Sequence, residues 1–120
     1  WGRARPRDVI EFGGAKTFTP VFPPSDQCGR NCSFVSGEAS AIYIVFFAAA
    51  FLLRRHGRRL ILLGIVLGSI AGLTRIAQGG HFLSDVIFAG VLMALTAASL
   101  QLLFDTIRAS DLAEQHEAPA

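Results

Sequence analysis

The chain has 120 residues, enough for one domain or for part of one. Hydrophobic residues make up 52% of it and charged residues only 17%, a balance that is apolar for a soluble domain and favours the membrane class. The formal net charge is +2, and the basic residues form short clusters without interleaved aromatic side chains. No nucleic-acid partner is therefore indicated.

The first part of the chain, residues 1–33, is rich in Gly, Pro, Arg and Phe and is predicted to be a loop with little regular structure. It lacks the continuous apolar core of a signal peptide. Because the chain does not begin with Met, we expect the sequence to be incomplete at its N-terminus. Cys28 and Cys32 leave two alternatives equally open, a small disulfide loop in an oxidising compartment or two free thiols. Metal binding by this pair is less favoured, because no second Cys or His pair lies nearby in the sequence.

Three apolar stretches follow, at residues 39–53, 60–73 and 86–104. A bilayer core needs about 20 helical residues, a length that the third stretch nearly reaches unaided. The first two are shorter and could also be buried helices of a soluble bundle. Arginines between them, in the basic hexapeptide at residues 54–59, favour membrane insertion because their stems can reach the interface. We expect an all-α transmembrane bundle with three membrane helices in this chain.

The basic hexapeptide also predicts the orientation of these helices. Arginines in short loops favour the cytoplasmic side, so the first helix is expected to run inward, the second outward and the third inward. The polar segments at residues 1–33, 33–38 and 75–85 would then share the outer face of the membrane. Their convergence predicts a functional site there.

The segment around His81 carries the strongest chemical pattern. Gly79-Gly80 interrupts the helical pattern, so that a new helix can start near His81 with Asp85 one turn further on the same face. The carboxylate could then hold one imidazole nitrogen and leave the other free as a nucleophile, while Arg75 offers a planar fork of donors for phosphate oxygens. The alternative is a hydrogen-bonded His at a helix start, with Asp85 capping the helix or solvated.

Two further segments offer anion ligands. Ser36, Gly37 and Glu38 lead directly into the first apolar helix, whose N-terminus presents unpaired backbone N–H groups. Ser36 could instead be a simple N-cap, with Glu38 placed favourably against the helix dipole. Arg5 lies in a basic arm that would be solvated elsewhere, but on this face it is a candidate phosphate ligand.

Together these residues resemble the three-part motif of the type 2 phosphatidic acid phosphatase and vanadium haloperoxidase superfamily. That motif is a Lys followed seven residues later by Arg-Pro, then Pro-Ser-Gly-His, then Ser-Arg, five residues, His, three residues and Asp. The matching positions here are Arg5-Pro6, Ser36-Gly37, Thr74-Arg75, His81 and Asp85. The Lys would fall before Trp1, Thr74 replaces Ser, and Val35 and Glu38 replace the Pro and His of the second part.

The resemblance implies a membrane phosphatase that hydrolyses a lipid phosphate or diphosphate without metal or other cofactor. His81 would attack phosphorus to form a phosphohistidine, and Asp85 would orient it. Arg5, Ser36, Gly37 and Arg75 would hold the phosphoryl oxygens. Glu38 stands where the family has its acid for the leaving group, and it could take that role only if protonated. Burial would raise its pKa and the arginines would lower it, so the direction is open at this point.

The resemblance also implies the setting of the protein. We expect an incomplete phosphatase-like membrane domain at residues 1–108, part of a six-helix core, followed by a disordered polar tail at residues 109–120. The expected location is the bacterial inner membrane, with the site facing the periplasm and the helices in contact with membrane lipid. The chain could also form a homo-oligomer. A specialised branch such as the lipid A phosphatases would fit the altered second motif. The alternatives are a vanadate-dependent haloperoxidase-like enzyme and a catalytically silent protein that binds lipid phosphates.

Overall fold

The computed structural model of the chain describes residues 1–117, with side chains described for residues 1–112. Three α-helices make up most of it: α1 (Gly37–Leu52), α2 (Gly57–Ala77) and α3 (Leu83–Glu117). Short 3-10 turns occur at Pro6–Asp8, Ile10–Phe12 and Arg54–His56. Residues 1–117 contain no β-strand apart from an isolated bridge between Val9 and Lys16. The all-α prediction is therefore confirmed.

Two segments are long and apolar enough to cross a membrane, Arg54–Ala77 and Leu83–Leu112, each with a mean hydropathy of 2.1 over its best window. Only 17% of each window is buried within the chain, so most of these apolar side chains face outward. Helix α1 is also apolar but has only 16 residues. The prediction of membrane-length helices is thus confirmed for two of the three apolar stretches.

A row of glycines lets α2 pack closely against its neighbours. Gly64, Gly68 and Gly72 are the buried residues of α2, spaced four apart on one face. A Cβ atom at Gly68 would lie 2.5 Å from the ring of Tyr43 on α1, and one at Gly72 would lie 2.2 Å from a methyl group of Val86 on α3. Such small residues allow close approach of apolar helices. The contact positions the C-terminal end of α2 beside the start of α3.

The loops at this end of the bundle are joined by backbone hydrogen bonds. The N–H of Arg7 donates to the carbonyl of Gly79 at 3.1 Å, and the N–H of Ser36 donates to the carbonyl of Asp85 at 3.4 Å. The N-terminal loop, the start of α1 and the α2–α3 turn therefore meet, as the sequence predicts. Cys28 and Cys32 in this loop form a disulfide with Cα atoms 5.6 Å apart, which resolves the alternatives left open by their spacing.

The end of α3 differs from the expected disordered tail at residues 109–120. The helix continues to Glu117, so residues 109–117 are helical. Ala, Leu, Glu and Gln dominate this segment and have high helix propensities, and no Gly or Pro occurs before Pro119. Residues 118–120 lie outside the described part of the chain.

Candidate active site

His81 lies in the turn between α2 and α3, and its side chain is only 3% exposed. Its Nδ1 atom lies 2.5 Å from the carbonyl oxygen of Ser33. A carbonyl oxygen can only accept, so Nδ1 carries the proton and donates it to Ser33. In the neutral ring, Nε2 then keeps its lone pair. The sequence predicts that one ring nitrogen is left free as the nucleophile, and Nε2 is the candidate for it.

Asp85 is buried beside His81, but it does not hold the imidazole as expected. Its Oδ1 atom accepts from Nη1 of Arg3 at 2.5 Å, and its Oδ2 atom accepts from the N–H of Phe82 at 2.8 Å and from the hydroxyl of Ser33. The reason is local geometry. His81 precedes α3, whereas Asp85 is the third residue of the helix, and its carboxylate accepts from the backbone N–H of Phe82, the residue just before the helix. Such an arrangement resembles one half of a capping box. The direct contact expected from the helical spacing is therefore absent.

Glu38 lies beside Nε2 of the imidazole. One carboxylate oxygen is 3.2 Å from Nε of Arg75 and the other is 3.7 Å from Nε2 of His81. A hydrogen bond from its own backbone N–H is the largest effect and lowers the pKa of Glu38. Burial opposes it, and the charges of Arg75, His81 and Arg5 lower the pKa further, so that the net direction is downward. The sequence left the direction of this pKa shift open, and the structure favours a lowered pKa and an ionised Glu38.

Two of the predicted phosphate ligands carry buried polar atoms that lack a partner within the described chain, Nε of Arg5 and Oγ of Ser36. Nε of Arg75 also makes no hydrogen bond there, but it forms an ion pair with the carboxylate of Glu38 at 3.2 Å. Buried donors of this kind are costly unless a partner satisfies them. Ser36 stands at the N-cap position of α1, yet its hydroxyl makes no capping bond. The simple N-cap alternative is therefore not what the structure contains. Gly37 follows as the first residue of α1, at a helix N-terminus where backbone N–H groups can donate to an anion.

A cavity of about 510 Å³ adjoins this cluster. It is lined mainly by apolar residues of the N-terminal turns and the α2–α3 connection, together with Arg7, Gln78 and His81. Gln78 accepts a hydrogen bond of 2.6 Å from Nη1 of Arg75, which connects the cavity wall to the arginine of the site. Such a cavity can take the apolar remainder of a substrate whose anionic group meets the arginines.

Among the residues that the structure describes, no group of three or more His, Cys, Asp or Glu side chains could hold a metal ion. The donors around His81 are instead guanidinium, hydroxyl and backbone N–H groups. These suit an oxyanion rather than a cation.

Two residues of the site were missed in the sequence. Arg3 is buried at 3% exposure against Asp85, and Ser33 is fully buried between Asp85 and His81. From the sequence alone, Arg3 belongs to a segment interpreted as a basic arm, and Ser33 to the segment that precedes the first apolar helix. The alternation of arginines in residues 3–7 was the one available indication that two of them point inward.

The fold and the site together define an apolar helical protein with an imidazole and a set of arginine donors gathered at one end of its helices. The chain belongs to the PAP2 superfamily, whose sequence model matches residues 1–108. No solved structure matches it significantly.

Three curated relatives share one printed name, "Lipid A 4'-phosphatase". The relative from Francisella tularensis subsp. novicida is 42% identical over 97 residues, covering 80% of this chain and 44% of the relative. Those from Rhizobium etli and Rhizobium leguminosarum are 31% and 33% identical, each over 88% of this chain and over 41% and 46% of their own lengths. The chain thus spans less than half the length of the curated relatives it matches.

Proposed function

We propose that this chain carries the catalytic site of a membrane phosphatase that hydrolyses the phosphate monoester of a lipid A-type amphiphile through a phosphohistidine, without a metal. The observation that carries the proposal is the pair of buried polar atoms without a partner in the described chain, on Arg5 and Ser36, together with the Arg75–Glu38 ion pair beside the imidazole of His81. The three relatives are named as lipid A 4'-phosphatases, which supports a lipid A-type substrate.

In the first step, the Nε2 lone pair of His81 attacks phosphorus and the P–O bond to the lipid alcohol breaks. The arginine and hydroxyl donors hold the equatorial oxygens and stabilise the charge on the transferring group. The alkoxide that leaves must take up a proton. In the second step, water attacks phosphorus, the P–N bond breaks, and its electron pair returns to Nε2 with release of inorganic phosphate.

Glu38 is the proposed proton carrier, and substrate binding supplies the condition that it needs. Without substrate, the hydrogen bond from its own backbone N–H and the charge of Arg75 lower the pKa of Glu38 and favour its ionised form. A bound phosphate would neutralise the arginines and add negative charge beside the carboxylate, and both changes raise its pKa. Glu38 can then accept the proton of a monoanionic phosphate ester, pass it to the leaving alkoxide, and afterwards act as the base towards water.

The proposed architecture keeps three membrane helices, although α1 is shorter than a simple span. At 1.5 Å per residue, its 16 residues reach about 24 Å, against about 30 Å of hydrocarbon. Arginines at residues 54–59 can reach the interface from one end of α1. We further propose that residues 1–108 form a phosphatase-like membrane domain within a six-helix core.

The proposed orientation places the site on the periplasmic side of a bacterial inner membrane. The arginines at residues 54–59 favour the cytoplasm for the opposite end of the bundle. The Cys28–Cys32 disulfide lies in the loop at the same end as His81, and disulfides persist in oxidising compartments such as the periplasm. Two independent features therefore support the same orientation.

Cysteine labelling tests this orientation. In a Cys28→Ser/Cys32→Ser background, we expect Gly29→Cys to react with a membrane-impermeant maleimide in cells whose outer membrane is permeable. We expect His56→Cys, at the opposite end, to react only after the inner membrane is opened. Labelling of His56→Cys in intact inner membranes would show that the proposed orientation is reversed.

Phosphate release from a lipid panel tests the activity. With excess chelator present, we expect the purified full chain to release phosphate from lipid A 4'-phosphate, at a rate at least about tenfold above that for phosphatidic acid, a difference of about 1.4 kcal/mol. Binding of lipid A without phosphate release would favour the catalytically silent alternative. Loss of release in chelator would contradict the metal-independent mechanism.

A further inference from the structure

We propose that Arg3 is a positioning residue for the phosphatase reaction, acting on His81 through Asp85 and Ser33. The inference rests on the proposed function for its kinetic part. The observation that carries it is a continuous chain of buried contacts from the Arg3 guanidinium to Nδ1 of the imidazole.

The chain of contacts begins at the guanidinium of Arg3. Nη1 donates to Oδ1 of Asp85 at 2.5 Å and to Oγ of Ser84 at 2.9 Å, and Nε donates to the carbonyl of Thr19 at 2.9 Å. The guanidinium also lies over the ring of Phe82, 4.1 Å from its centroid. A planar fork with several fixed donors can span these acceptors, whereas a lysine ammonium cannot. Arg3 is therefore held rigidly inside the fold.

Asp85 passes this restraint to Ser33. One of its oxygens is occupied by Arg3, and the other accepts from the Ser33 hydroxyl and the Phe82 N–H. Ser33 is tied a second time, because its backbone N–H donates to the carbonyl of Arg3 at 2.9 Å. Residue 33 is thus fixed at its side chain by Asp85 and at its backbone N–H by Arg3.

Ser33 in turn determines the state of the imidazole. Its carbonyl oxygen accepts the proton of Nδ1 of His81 at 2.5 Å and so selects the tautomer with an unprotonated Nε2. In the described part of the chain, the hydrogen bonds of Asp85 reach the ring through Ser33. No hydrogen bond or ion pair there joins the side chain of Arg3 to the ring or to the arginine donors of the anion site, so we expect its effect on catalysis to pass through Asp85 and Ser33.

The kinetic test compares Arg3→Met and Arg3→Lys with Arg30→Gln, which changes an exposed arginine of the same loop. We expect Arg3→Met to lower kcat about 10- to 100-fold with KM changed less than about threefold, by analogy with the outer partners that orient metal-binding imidazoles. Arg3→Lys should recover only part of kcat, and Arg30→Gln should match the wild type. An unchanged kcat in folded Arg3→Met, or a rise in KM alone, would overturn the proposal.

A spectroscopic test does not depend on turnover. In ¹⁵N-histidine NMR spectra of the purified full chain, with His81 assigned by comparison with His81→Ala, we expect one neutral tautomer protonated at Nδ1. Arg3→Met should show both tautomers of His81. Ser33→Ala should do the same if Arg3→Met fails to fold, because it removes the hydroxyl that connects Asp85 to residue 33. A single unchanged tautomer in the folded variant would refute the positioning role even if the chain hydrolyses no lipid.

Discussion

His81→Ala is expected to abolish phosphate release, with a fall in kcat of at least about a thousandfold. The variant removes the nitrogen that attacks phosphorus, while the arginine donors and the apolar cavity remain for binding. KM for the lipid should therefore change little. His56→Ala is the matched control, because His56 is an exposed imidazole at the opposite end of the bundle and should leave turnover intact. The measurement is initial-rate phosphate release in detergent.

The same pair of variants tests for the covalent intermediate. A short reaction with ³²P-labelled lipid phosphate, quenched in alkali, should leave label on the wild-type chain and on His56→Ala but not on His81→Ala. The label should be lost in acid, because protonation of the imidazole makes it a good leaving group. Undiminished release by His81→Ala would contradict the nucleophilic role. Turnover by a wild-type chain that never carries label would indicate direct attack by water instead.

The fold was largely predictable because its determinants are local. Three apolar stretches separated by arginines and by Gly79-Gly80 are enough to predict three helices and the turn between the last two. The C-terminal end was misjudged because polarity was taken to mean disorder, although the segment is rich in helix-forming residues. Its helix shows that composition alone does not separate an exposed helix from a disordered tail.

The site was predictable where the motif matches and not where contacts depend on tertiary structure. The structure brings Glu38 within 4 Å of both His81 and Arg75 and leaves Ser36 without a capping bond. The partner of Asp85 could not be predicted, because the spacing of four residues indicates contact only if both residues are helical. Arg3 reaches Asp85 across 82 positions of sequence, and no local pattern encodes such a contact.

Glu38→Gln is expected to slow the reaction much more for a substrate with a poor leaving group than for one with a good leaving group. Glutamine keeps the size and an acceptor oxygen for Arg75 but can neither carry nor release the proton. For a lipid phosphate, whose alcohol is a poor leaving group, kcat should fall about 100- to 10,000-fold, the usual contribution of a general acid. For p-nitrophenyl phosphate, whose phenolate leaves without a proton, the rate of phosphohistidine formation should fall less than about tenfold.

The two chemical steps are measured separately: the burst of p-nitrophenol reports formation of the phosphohistidine, and steady-state phosphate release reports its hydrolysis. If Glu38 is also the base for water, Glu38→Gln should form the phosphohistidine from p-nitrophenyl phosphate and then accumulate it, because the second step remains slow. Glu11→Gln, an exposed change in the N-terminal loop, should alter neither phase. Equal losses on both substrates would contradict the acid role. They would indicate instead that the carboxylate, ionised beside Arg75 before substrate binds, only holds the arginine in place.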